Sequence, residues 1–407
     1  MTWQHSHASG KHRVVPALSR RAVLRAALGG AGLALSAPLL WSERGRAAIL
    51  PPPLGAPDAN GVRLLPGFTS RIVARSGQPP VPGGAYAWHG SPDGGAVFPA
   101  PDGGWIYVSN SELANGEGGV GALRFDASGG VVDAYSILRG TSVNCAGGAT
   151  PWKTWLSCEE FPSGRVWECD PYGRQAGVVR PALGVFTHEA IAVDPVAKRL
   201  YLTEDAPNGR FYRFTPPGVF PSGAYDLSAG LLEVAQVGAT GDIVSGPVTW
   251  HRVPDPSGAQ LPTWQQVTAS TAFPGAEGIA IHDGVAYFTT KYDNRVWAYD
   301  IGREAIGILY DDDRFEDPVL TGVDNVAISP GGAILVAEDP GHMQLVAVVP
   351  GGPVYAVLQV VGHIASEITG PAFDPSGTRL YFSSQRGPGG KRSEGITFEV
   401  TGPFSKI

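Results

Sequence analysis

One layout recurs along this chain and limits what it can fold into. A short apolar strand meets a turn of Pro, Gly and Asp, and an alternating strand follows. In the copy spanning 144–160, Asn144 and Cys145 open the first strand, Pro151 marks the turn, and Glu159 and Glu160 close the second strand. Related copies occupy 93–112, 188–205, 277–291, 324–339 and 369–386. Their equivalent positions before the turn are Asp93, Cys145, Glu189, Glu277, Asp324 and Thr369, separated by 52, 44, 88, 47 and 45 residues. A repeat of about 45 residues with four short strands per unit is the signature of a β-propeller. The expected fold is therefore all-β: a single β-propeller of six blades, or of seven if a degenerate blade fills the long gap. That gap reads as an insertion in the third blade around 206–265. The strand at 395–400 is expected to close the ring against the one at 69–74.

Composition agrees with this. Only 16% of the 407 residues are charged, whereas Gly (56) and Pro (36) are abundant, as suits a compact, turn-rich β protein rather than a helical or disordered one. The net charge of -7 argues against a nucleic-acid partner. It leaves room for a small anionic substrate at a local cationic or metal site.

Residues 1–47 read as a segment outside the fold, with the propeller spanning 48–407. Arg20 and Arg21 form a twin-arginine pattern, and a glycine-bearing apolar run covers 26–40. That is the layout of a Tat export signal, with cleavage expected near Ala47. The run is shorter than the roughly 20 residues of a membrane span. The expected partner during export is the Tat translocase. The expected location is periplasmic, cell-surface or extracellular, and the mature form is expected to be a monomer without a membrane span. Tat substrates cross the membrane already folded, often with a cofactor loaded beforehand, which suits a metalloprotein.

The cysteines are Cys145, Cys158 and Cys169. Cys158 and Cys169 flank a turn at 161–164, and a hairpin centred between Ser163 and Gly164 sets them opposite one another. A cross-strand disulfide and two buried thiols are both compatible with that placement. Cys145 is left over.

In a propeller the innermost strand of each blade lines the axis, so residues in one register converge there. Five of the six registered positions are Asp, Cys or Glu. A second set closes the following strands: Glu112, Glu160, Glu204, Lys291, Glu338 and Gln385, with Asp205, Asp339 and Arg386 beside them. Crowded carboxylates raise one another's pKa values, and bound cations relieve the repulsion. Carboxylates alone suggest calcium, and a thiolate among them suggests iron or zinc. The bland alternatives are a small buried Cys145, solvated acids, and a His188 bonded to a carbonyl rather than to a metal.

Together, Asn-Cys…Thr-Pro-Trp…Cys-Glu-Glu at 144–160, His-Glu-Ala…Val-Asp-Pro at 188–195, Leu-Thr-Glu-Asp at 202–205 and Thr-Gly-Pro at 369–371 resemble the PhoX-type alkaline phosphatases, of which this chain would be a compact branch. The resemblance covers about 93–386. It implies a six-bladed propeller that hydrolyses phosphate monoesters at a centre of iron and calcium. It implies that Cys145 is an iron ligand and that Glu159, Glu160, Glu189 and Glu277 hold metal, with Asp93 and Glu112 as further acidic positions. The chain departs from the family where Asn110-Ser111-Glu112 stands in place of Asn-His-Glu, and where no Arg precedes Glu277. Arg386, Lys291 and Asn144 are the candidates to hold phosphate instead. The alternative function is a non-catalytic, calcium-stabilised propeller that binds a ligand or partner.

Overall fold

The computed structural model describes residues 51–238 and 245–407. The proposed export signal lies outside the described residues. Apart from four short 3-10 turns, all regular structure among the described residues is β. No described helix is long and apolar enough to cross a membrane.

Six inner strands, Pro92–Pro99, Asn144–Ala149, His188–Asp194, Ala276–His282, Val323–Ile328 and Ile368–Phe373, neighbour one another in a closed cycle. Antiparallel strands follow outward from each. Four-stranded sheets begin at Pro92–Pro99, Asn144–Ala149 and Ile368–Phe373, and a five-stranded sheet begins at Val323–Ile328. A nine-stranded sheet has His188–Asp194 and Ala276–His282 at its two ends. Its halves join only where Ser245–Arg252 pairs with Ala305–Asp311. The arrangement is propeller-like.

The second strands are apolar on both faces because each sheet is sandwiched between two others. Leu156 and Cys158 pack with Leu200 and Leu202 of the following unit, while Trp155 packs with Phe98 and Ile106 of the preceding one. Polar ends of buried aromatics find partners across the same seams. Trp155 Nε1 donates to Asn110 Oδ1 at 2.9 Å, and Trp105 Nε1 donates to Tyr381 Oη at 3.0 Å.

The C-terminal strand Ile396–Thr401 pairs with Thr69–Arg75, as the sequence suggested. A second early strand, Val62–Leu64, adds to Val354–Val360, which the sequence did not reveal. The segment read as an insertion around 206–265 is more regular than expected. Phe211–Thr215 and Leu231–Val237 are the next strands of their own sheet, and Ser245–Arg252 extends it.

Of the two placements left open for Cys158 and Cys169, the structure shows two buried thiols and not a cross-strand pair. Cys158 pairs with Val166 and Cys169 with Trp155, so the hairpin centres on Pro162 and the two thiols belong to different core clusters. All three cysteines are free thiols.

Candidate metal centre at the hub

Every inner strand breaks register with its neighbour at the same place. The irregularities fall at Pro92/Gly95, Asn144/Gly147, His188/Ile191, Ala276/Ile279, Val323/Val326 and Thr369/Ala372. A bulge re-aims the side chain it carries, and these carry Asp93, Cys145, Glu189, Glu277 and Asp324. Close approach between strands is part of the device. A Cβ on Gly94 would lie 2.4 Å from Ala146 Cα, and one on Gly278 would lie 2.6 Å from Asn325 Cα. Asn110 pins the bulge at Cys145, donating from Nδ2 to the carbonyls of Cys145 at 3.0 Å and Ala146 at 2.7 Å.

The re-aimed side chains meet. Ligand atoms of Cys145, Glu160 and Glu189 lie within 4.8 Å of one another, as do those of Glu189, Glu277 and Asp324, and those of Asp93, Glu112 and Glu367. Cys145 Sγ is 3.4 Å from Glu189 Oε1 and 3.7 Å from Asp93 Oδ2. Protein donors cover part of this charge. Lys291 Nζ is 2.7 Å from both Asp205 Oδ2 and Glu277 Oε1, and Arg386 Nη2 is 3.0 Å from Glu367 Oε2. Gln385 Nε2 reaches Asp93 Oδ2 at 2.6 Å and Glu112 Oε2 at 2.8 Å.

Burial, reinforced by neighbouring acids, holds Asp93, Glu160, Glu189, Asp324 and Glu367 well above the usual carboxylate range. Burial also pushes Glu277 up to about 8, with Asp205 adding to the shift and Lys291 opposing it. The Cys145 thiol is raised by burial first, then by Asp93 and Glu189. For Lys291 burial opposes the charge, but Glu277 and Asp205 outweigh it and raise the pKa.

The donor chemistry fits the metals that the resemblance implies. A thiol among carboxylates suits iron, and the oxygen-only groups suit calcium. Glu189 is fully buried, and its Oε2 has no hydrogen-bond partner. Such an atom is costly unless a cation reaches it.

Two expected site residues sit elsewhere. Glu159 accepts from the Ser142 and Arg165 backbone N–H groups at 3.1 and 3.2 Å, so it closes a loop and stays out of the hub clusters. Glu204 and Glu338 do the same for Arg210 and Gln344, which leaves Asp205 and Asp339 as the inward acids of those units. Asn144 is fully buried, accepting from Thr141 Oγ1 at 2.6 Å and donating to Ser157 Oγ at 2.9 Å. Both ends of its amide are engaged in bracing the strand. His188 Nε2 bonds the Gly184 carbonyl at 3.0 Å, the bland alternative. Glu367 was missed by the sequence reading. It stands just before the strand Ile368–Phe373, in the one unit whose registered position, Thr369, lacks a metal-binding side chain.

The fold and its hub define a class: a propeller-like β protein whose inner strands gather carboxylates and one thiol. The model of the alkaline phosphatase PhoX family matches residues 121–166 and 162–296 of this chain. Among solved structures, Pseudomonas fluorescens PhoX in complex with vanadate, a transition state analogue, is similar over 87% of this chain and 98% of its own, with a TM-score of 0.71 and 16% identity. XC5397 from Xanthomonas campestris, described as a gluconolactonase, is similar over 88% and 96%, with a TM-score of 0.44 and 14% identity. No curated protein sequence matches. The resemblance to the PhoX-type alkaline phosphatases is thereby borne out in both sequence pattern and fold.

Proposed function

We propose that this chain is an exported, metal-dependent phosphatase that hydrolyses phosphate monoesters at the hub of a six-bladed propeller. Six blades are supported by the six inner strands, if the nine-stranded sheet is taken as two blades joined at the Ser245–Arg252 pairing. The observation that carries the function is the meeting of Cys145, Glu160 and Glu189 in a PhoX-like fold.

In this reading Cys145, Glu160 and Glu189 hold iron, with Glu277 and Asp324 alongside, and Asp93, Glu112 and Glu367 hold calcium. Bound there, such ions supply Lewis acidity, an activated oxygen nucleophile and neutralisation of phosphoryl charge. The chain's own residues set the conditions. At alkaline pH, where the converged carboxyls ionise, they repel a phosphate until cations are in place, so an ion-free hub binds substrate poorly there. Arg386 is one-third exposed and bridges only Glu367, which leaves guanidinium donors for a phosphoryl oxygen. Asn110, by fixing the two carbonyls within the bulge, keeps Cys145 aimed inward. The Tat translocase remains the export partner in this proposal, on the strength of Arg20 and Arg21.

The alternative, a non-catalytic calcium-stabilised propeller, is favoured by one observation. Both hub cations are already paired with carboxylates. The experiment is elemental analysis of the exported protein together with turnover of a chromogenic phosphate monoester, with and without chelator. Iron and calcium in the protein, with turnover lost on chelation, is the expected result. Protein that holds calcium but no iron, and stays inert when both metals are added, favours the alternative.

A further inference from the structure

Six residues follow one another at a single register position after the second strands of the units: Glu112, Glu160, Asp205, Lys291, Asp339 and Gln385. Four are carboxylates. The other two are donors, and each bridges a pair of hub acids. Gln385 spans Asp93 and Glu112 with a neutral amide, and Lys291 spans Asp205 and Glu277 with a full charge. A charged donor between two acid oxygens stands where a metal ion stands in an acidic cluster.

We infer that Lys291 is a built-in counter-cation, its ammonium filling the place of one divalent ion between Asp205 and Glu277. The inference rests on the reading that the hub binds cations, and not on the hydrolysis. The acids it serves are deeply buried, at 8% and 3% side-chain exposure, and Asp205 Oδ1 has no hydrogen-bond partner. Asp205 is also among the neighbouring acids that raise the Glu160 carboxyl. Without the ammonium, the gap is an oxygen-only donor set of the kind that takes calcium. A lysine cannot be chelated away, so this side of the hub stays neutralised when ions are lost, while the Cys145 side does not.

The test compares the wild type with Lys291→Gln and Lys291→Arg. Each protein is stripped with chelator and equilibrated with calcium chloride. Bound calcium per chain is then counted by elemental analysis, and Tm is measured with and without the ion. Lys291→Gln is expected to bind one calcium more than the wild type, to melt lower after stripping, and to regain its Tm with calcium. Lys291→Arg, which keeps the charge, is expected to match the wild-type count. A Lys291→Gln protein with the wild-type count, or one destabilised in a way that calcium does not reverse, overturns the inference. Absence of calcium from both proteins overturns it together with the reading of the hub as a cation site. A wild type that binds calcium but hydrolyses no monoester removes the proposed function and leaves this inference standing.

Discussion

Neighbouring glutamates differ in what they do here, and the difference is measurable. Glu159→Ala frees two backbone N–H groups at the base of a half-exposed loop, at a cost of about 0.5–1.5 kcal/mol per hydrogen bond lost. It should lower Tm and leave the metal content unchanged. Glu160→Gln should do the reverse, since its carboxylate is one of the converging set. Cys145→Ala should lose iron and at least about 100-fold in monoester turnover, beyond what loss of an outer-shell partner costs, while its melting curve stays close to wild type. Elemental analysis and a chromogenic assay read all three. The position of Cys145, Glu189 and Glu277 was legible from register alone, because each repeat carries its own turn as a ruler. The parity of the second strand was not. A strand's last residue and the next one point to opposite sides, and nothing in the letters of Glu204-Asp205 or Glu338-Asp339 says where the strand stops. The choice left open for Cys158 and Cys169 turned on a similar detail: the hairpin centres on Pro162, and so small a shift in the centre of a turn is enough to separate a cross-strand pair.

At the level of the strand, the bulge turns a repeat into a site. It recurs in all six inner strands, yet no single sequence signal announces it, since Gly94, Ala146, Ala190, Gly278 and Asn325 stand at its equivalent points. At Gly94 and Gly278 the requirement is steric: the neighbouring strand passes too close for a side chain. Gly94→Val should therefore force strands apart and destabilise by about 1–3 kcal/mol, read by chemical denaturation. Asn110→Ala should retain the fold but loosen Cys145, with iron affinity falling about 10–100-fold, measured by competition with a chelator. The sequence offered the strands through their alternation, and it offered the ring closure through the final strand. It hid Val62–Leu64, because three residues carry too little pattern to register.

Across the whole molecule, the hub makes stability depend on pH in a direction opposite to ordinary acid denaturation. Glu277 is raised from 4.5 to about 8 in the folded state, so between those values the folded protein holds a proton that the unfolded chain has lost. Its contribution is full below pH 4.5 and is lost as pH rises through 8. Asp93, Glu160, Glu189 and Asp324 shift in the same direction. The fully buried His188 and the half-buried His89, both lowered to about 3 by desolvation, act the other way and destabilise the fold as pH falls below 6.5. Stripped protein should therefore melt highest in the weakly acidic range and lose Tm towards pH 8, and calcium should restore the alkaline side. Calorimetry from pH 4 to 9 with and without calcium reads this. A Tm that climbs towards pH 8 in the presence of chelator contradicts it.

The inward side chains are spread from Asp93 to Arg386, and the outermost strands of two sheets come from 62–75 yet pair with 354–401. A chain still leaving the ribosome has no pocket to offer an ion. On the proposed reading, ion uptake is therefore a closing act of biogenesis, and whichever compartment lets the circle shut also chooses the metal that would be sealed inside.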